Sequence, residues 1–167
     1  MSEMSRLIDA RNLPDGPLDI SASAEECAAL AKRFDLVTVR QLTARITLTP
    51  DGQTVRARGV LDADVVQSCA VSAEELEVGI HEPVELQFVP PAKDLPAEME
   101  LEPEMLDQIE MDGTRFDLGE ALAQTLGLAI DPYLEGPNAE EARRKAGLLD
   151  PSETSPFAAL KNIFKKD

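Results

Sequence analysis

The sequence predicts an α+β protein: an antiparallel curved sheet or open barrel with flanking helices, an acidic loop and a short C-terminal helix. Three observations carry this. Apolar residues alternate with period two from Leu36 to Cys69, interrupted by Pro50-Asp51-Gly52. The even-numbered residues of "LEVGIHEPVELQF" keep one apolar face through thirteen positions. Two segments with a capping residue and helical apolar spacing, beginning at Ser23 and Asp117, lie outside these runs.

In "SAEECAALAKRF", Ser23 precedes Glu26 by three positions, and Cys27, Leu30, Ala31 and Phe34 recur at i, i+3, i+4, i+7. This is an amphipathic helix that opens with a capping box, and it places Cys27 on the packed stripe. In the period-two run, Leu42, Ala44, Ile46 and Leu48 share one face. The Asp-Gly pair tolerates the positive φ of a tight hairpin, and Val55, Ala57, Gly59 and Leu61 return to the same core. Arg45, Arg56 and Arg58 fall on the opposite face, as a solvated sheet surface or a binding patch.

Leu76, Val78, Ile80, Val84, Leu86 and Phe88 form the next apolar face. Pro83 lacks an N–H, so it marks an edge, bend or bulge there. After Pro90-Pro91 the composition changes: residues 94–120 hold ten acidic residues against Arg115 alone. Two prolines interrupt its first half, and we expect an exposed mobile loop over about residues 92–114. Asp117 and Glu120 then cap a second helix with Leu118, Ala121, Leu122, Thr125, Leu126 and Ala129 on its stripe, ended by Asp131-Pro132. Ser155-Pro156 starts a short helix with Phe157, Leu160, Ile163 and Phe164 on one side, and lysines at 161, 165 and 166. Too short to be stable alone, it must dock on its own domain or on a partner. The expected organisation is one α+β domain over residues 1–150 and a tail over 151–167.

Charge narrows the function. The chain has 167 residues, 32 acidic and 16 basic, for a net charge of −16. Such a surface repels phosphate backbones on average and suits a basic protein partner. The opening "MSEMSRLIDARNLPDG" has no apolar run of a signal or transit peptide, and no window is long and apolar enough to span a bilayer. Two cysteines make no disulfide framework. A cytoplasmic location is expected, with no membrane or DNA partner.

The chemistry expected of an enzyme is missing. Cys69 and His81 fall on strands that could neighbour each other, but no third, orienting group is evident. A structural zinc site needs four Cys or His ligands, and the chain has Cys27, Cys69 and His81 in all. No phosphate-cradling glycine motif occurs. "EMELEPE" could collect divalent cations weakly but lacks the loop geometry of a calcium site. No catalytic residue, metal or cofactor is expected.

"GVLDADVVQSCAVSAEELEV", "LQFVP" with its acidic loop, "FDLGEALAQTLGLAIDPY" and "SPFAALKNI" occur in order, and together with "SRLIDARNLP" they resemble the YceD family, in its alphaproteobacterial branch. These are large ribosomal RNA subunit accumulation proteins. Many carry a C-x-x-C pair after this strand and a further pair near the C-terminus. Here Cys69-Ala70-Val71-Ser72 keeps the first sulfur only, so the resemblance implies no metal, and Cys69 reads as a small apolar residue at a strand end. The resemblance further implies a non-catalytic role in accumulation or processing of large-subunit rRNA. The family's genes commonly neighbour that of a small basic ribosomal protein.

Two function classes follow. The first is an assembly factor that holds a basic ribosomal protein or large-subunit intermediate, with rRNA contact indirect. Glu98, Glu100, Glu102, Glu104, Asp107 and Glu110 would steer it, and Pro156, Phe157, Leu160 and Phe164 would anchor it. The alternative is direct RNA binding by Arg40, Arg45, Arg56 and Arg58, if these cluster on one exposed face.

Overall fold

A computed structural model describes residues 2–91 and 107–147. Among these described residues the fold is α+β: a five-stranded mixed sheet that does not close, a two-stranded ribbon and three helices. In chain order the elements are β1 (Leu7–Asp9), β2 (Pro17–Ser21), α1 (Ala24–Arg33), β3 (Thr38–Asp51), β4 (Thr54–Ser68), β5 (Glu75–Val89), β6 (Gln108–Glu110), β7 (Arg115–Asp117), α2 (Leu118–Ala129) and α3 (Ala139–Lys145). The sheet order is β2-β3-β4-β5-β6, and β1 pairs with β7. The helix expected at Ser155-Pro156, with its anchor residues, and the glutamates at 98–104 lie outside the described residues. The described residues group into two compact units: residues up to Val66 with Glu77–Ile130, and Gln67–Leu76 with residues from Asp131 on.

In the first unit, the alternation read from sequence becomes burial. Leu42, Ala44, Ile46 and Leu48 of β3 and Val55, Ala57 and Leu61 of β4 are buried in one apolar core. The hairpin pairs through Asp51 opposite Thr54, so the loop is Gly52-Gln53, one residue later than the Pro-Asp-Gly signal suggests. Gly52 takes φ +63° at the first central position, as a type II′ turn requires. At Arg40 the register skips, because Val39 pairs with Val65 and Gln41 with Asp64. This bulge lets Val39 and Leu42 both face inward across two consecutive polar residues, and it leaves Arg40 outside.

β5 runs unbroken through Pro83. β6 pairs, in parallel, with Gln87–Val89 alone. The rest of β5 therefore has an open edge on that side among the described residues, where a proline is tolerated. β6 itself lies inside the stretch expected as a loop.

α1 forms as its spacing predicts: Ser23 Oγ accepts from Glu26 N, Glu26 accepts from Ser23 N, and Cys27, Leu30 and Ala31 are buried. Burial pushes the Cys27 thiol pKa up, as expected of a packed thiol. α2 is capped by Asp117, which accepts from Glu120 N at 3.1 Å, but the reciprocal half of the box is absent. Glu120 turns instead to Arg33, which donates to it at 2.8 and 3.0 Å and to Glu3 at 2.7 Å. Arg6 makes a two-pronged pair with Glu26 at 2.7 and 3.0 Å.

These pairs carry a pH prediction. Arg6 holds the Glu26 carboxyl at about 2 and Arg33 holds that of Glu120 at about 2, against an ordinary 4.5. A carboxylate whose folded pKa is depressed stabilises the fold above its unfolded pKa and loses that contribution as pH falls through the folded value. Stability is therefore expected to drop between about pH 4.5 and 2. Urea titrations across this range check it, and Glu120→Gln should flatten the slope.

The second unit comprises the ends of β4 and β5, the turn between them and residues 131–147. Gln67, buried at the strand end, donates to Asp131 O at 2.9 Å, and Ala70 N donates to Leu134 O at 2.9 Å. Glu74 accepts from the Asn138 side-chain amide at 2.6 Å, just ahead of α3. In α3, Lys145 pairs with Glu141 one turn earlier at 2.9 Å, and Arg143 pairs with Glu135.

Candidate functional site

The face of the sheet turned away from the core carries the candidate cations. Alternation places Arg45, Arg56 and Arg58 there, and the bulge adds Arg40. The same strands place a carboxylate beside each: Arg40 meets Glu77 at 2.5 Å, Arg45 meets Asp19 at 3.5 Å, Arg56 meets Asp51 at 3.4 Å, and Arg58 meets Glu85 at 2.6 Å. Asp62 and Asp64 add negative charge on β4. The arginines thus share one side of the sheet but are interleaved with acids, which cancels the positive potential a phosphate backbone needs. Exposed pairs of this kind contribute at most ~1 kcal/mol each. Changing all four arginines to glutamine is expected to leave the fold intact and RNA retention on a filter unchanged. A loss of RNA retention would point to this face as a contact.

His81 lies on this same exposed face, where Nδ1 bonds Asp62. Cys69 is 4% exposed. Its sulfur accepts backbone N–H groups from Gly136 at 3.2 Å, Ser72 at 3.4 Å and Val71 at 3.5 Å. Ser72 Oγ is buried without a well-formed hydrogen bond, yet its hydroxyl is the largest influence lowering the Cys69 pKa, to about 7. Cys69 is thus more than an apolar filler at a strand end: the turn after β4 and the Gly136 amide favour its thiolate. The local Cys-Ala-Val-Ser turn is visible in the sequence, whereas the donor at Gly136 is not.

Cys69 and His81 are each engaged by other partners. Among the described residues no three His, Cys, Asp or Glu side chains gather in an arrangement able to hold a metal ion. Of the acidic candidates, Asp107 and Glu110 are described, and both are exposed at the ends of β6. Ile109 between them is half-buried against the core and fixes the strand. No helix among the described residues is long and apolar enough to cross a membrane.

These features define an acidic α+β protein with a charge-laced, solvent-facing sheet. Over residues 57–164 the chain matches the family model described as large ribosomal RNA subunit accumulation protein YceD. It belongs to the YceD family. Membership ties it to accumulation of large-subunit ribosomal RNA. No curated protein and no solved structure matches the chain.

Proposed function

We propose that the chain is a non-catalytic, cytoplasmic ribosome biogenesis factor that supports large-subunit rRNA accumulation by binding a basic ribosomal protein or an assembly intermediate. The observation that carries this reading is the charge balance, −16 over the chain, together with arginines that each already face a carboxylate. A strongly negative protein attracts lysine- and arginine-rich chains and speeds their encounter, while it repels bare RNA. Contact with rRNA is then indirect.

In this reading Glu98, Glu100, Glu102, Glu104, Asp107 and Glu110 steer the partner, and Pro156, Phe157, Leu160 and Phe164 supply an apolar anchor. The test is to change the six acids to Gln or Asn and measure affinity for purified basic large-subunit proteins across a salt series. Weaker binding with a shallower salt dependence is expected. Unchanged affinity and salt dependence would remove the steering role.

A further inference from the structure

One groove in the first unit combines an apolar floor with open negative charge. It has a volume of about 290 Å³ and lies between β5 and the last turn of α2, lined by Glu82–Leu86, Asp107, Thr125, Leu128 and Ala129. Leu128 is 89% exposed, on a helix whose other leucines are buried. It falls off the 118-121-122-125-126-129 stripe, so packing among the described residues gives no reason for a leucine there. Val84 is buried beneath, and Leu86 and Ala129 pack half-buried against the core.

Among the described residues every charged side chain lining the groove is acidic, while Arg56 and Arg58 line the adjoining pocket together with Glu85 and Asp107. Glu85 is engaged by Arg58. The Glu82 and Asp107 side chains have no ion-pair partner among the described residues. Among the described residues β5 is an open edge at this point, because β6 covers Gln87–Val89 alone. Pro83 has no N–H to offer an added strand, so the edge disfavours strand addition and leaves side-chain insertion.

We propose that this groove seats an apolar side chain from a Lys/Arg-bearing segment of the basic partner, with Leu128, Leu86 and Pro83 gripping the apolar group and Glu82 and Asp107 meeting the flanking cations. This inference rests on the reading that the protein binds a basic partner, and it specifies where. The charge of the rim narrows the occupant: the acidic residues 94–104 would be repelled and a cationic segment is attracted, and the chain's own tail, with Lys161, Lys165 and Lys166, is set apart from a partner by the Phe157 and Phe164 variant below.

The test uses the full chain and two fluorescein-labelled lysine-rich peptides, one with a central Phe-Leu pair and one with Ser-Ser in its place, followed by anisotropy. The Phe-Leu peptide is expected to bind about tenfold more tightly than its control, a modest return for one apolar group leaving water. Leu128→Ser, at an exposed position, should erase that difference. Glu82→Gln with Asp107→Asn should weaken both peptides and flatten their salt dependence. If the variants bind as the parent does, the groove is the wrong place while the basic-partner reading stands. If neither peptide binds the parent chain, that reading fails and the groove assignment with it. If Phe157→Ser with Phe164→Ser strengthens peptide binding severalfold, the tail of this chain is the resident and the assignment to a partner is overturned.

Discussion

Replacing Phe88 by alanine is expected to destabilise the protein by about 3–5 kcal/mol, the cost of removing a large ring from a packed core. Phe88 is fully buried on β5, and its ring stacks on Phe116 with centroids 4.0 Å apart and planes inclined by 21°. Phe116 lies on β7, directly before the α2 cap at Asp117. The pair therefore ties the five-stranded sheet to the small ribbon and to the start of α2. With aromatics at 4% of residues, few other rings are available to fill the gap. Chemical denaturation of Phe88→Ala and Phe88→Leu measures this. Phe88→Leu should recover much of the loss, because it keeps apolar volume but not the stacking. A Phe88→Ala loss below about 1 kcal/mol would mean that the site collapses around the cavity or that the rings do not meet.

Gly59→Ala is expected to be comparably damaging for a different reason. Gly59 sits in β4 opposite Ile46, and a Cβ added to it would lie 1.9 Å from the carbonyl oxygen of Arg45 and 2.8 Å from its carbonyl carbon. Both are backbone atoms of the neighbouring strand, so no rotamer change relieves the contact. β3 and β4 must part at the centre of the sheet, at a cost of about 3 kcal/mol or more. Gly79→Ala on β5 is the control, because its Cβ would meet nothing nearer than Asp64 Oδ1 at 3.9 Å. It is expected to change stability by less than about 1 kcal/mol. Equal effects from the two substitutions would contradict the close approach at Gly59.

What the sequence conveyed about this fold follows the range of the interactions involved. Burial on β3 after its bulge, on β4 up to Val65 and on β5 was legible because a period of two runs through each of these stretches. Both long helices announced themselves through Ser23 and Asp117. The bulge at Arg40 left a trace, the polar pair Arg40-Gln41 between Val39 and Leu42, that breaks the alternation. β1, β6 and β7 left none, since each is three residues long and is defined by a partner far away in the chain. β1 pairs Leu7 with Asp117, for example.

The candidate site divides in the same way. That Arg45, Arg56 and Arg58 share a face follows from alternation, whereas their pairing with Asp19, Asp51 and Glu85 depends for Arg45 and Arg58 on strand order. The environment of Cys69 needs the Gly136 amide, 67 positions along the chain. Leu128 was visible as a leucine off the apolar stripe, but its meaning needed the acidic groove beside it.

We propose that this acidic chain holds a basic protein and meets rRNA through it. Affinity capture of the tagged full chain from its own cell lysate, at low and high salt and with and without RNase, tests that claim most directly. The expected result is recovery of a small basic protein of the large ribosomal subunit that survives RNase and is released by salt. Recovery of rRNA, with the associated proteins lost after RNase treatment, would contradict it and assign the contact to RNA itself.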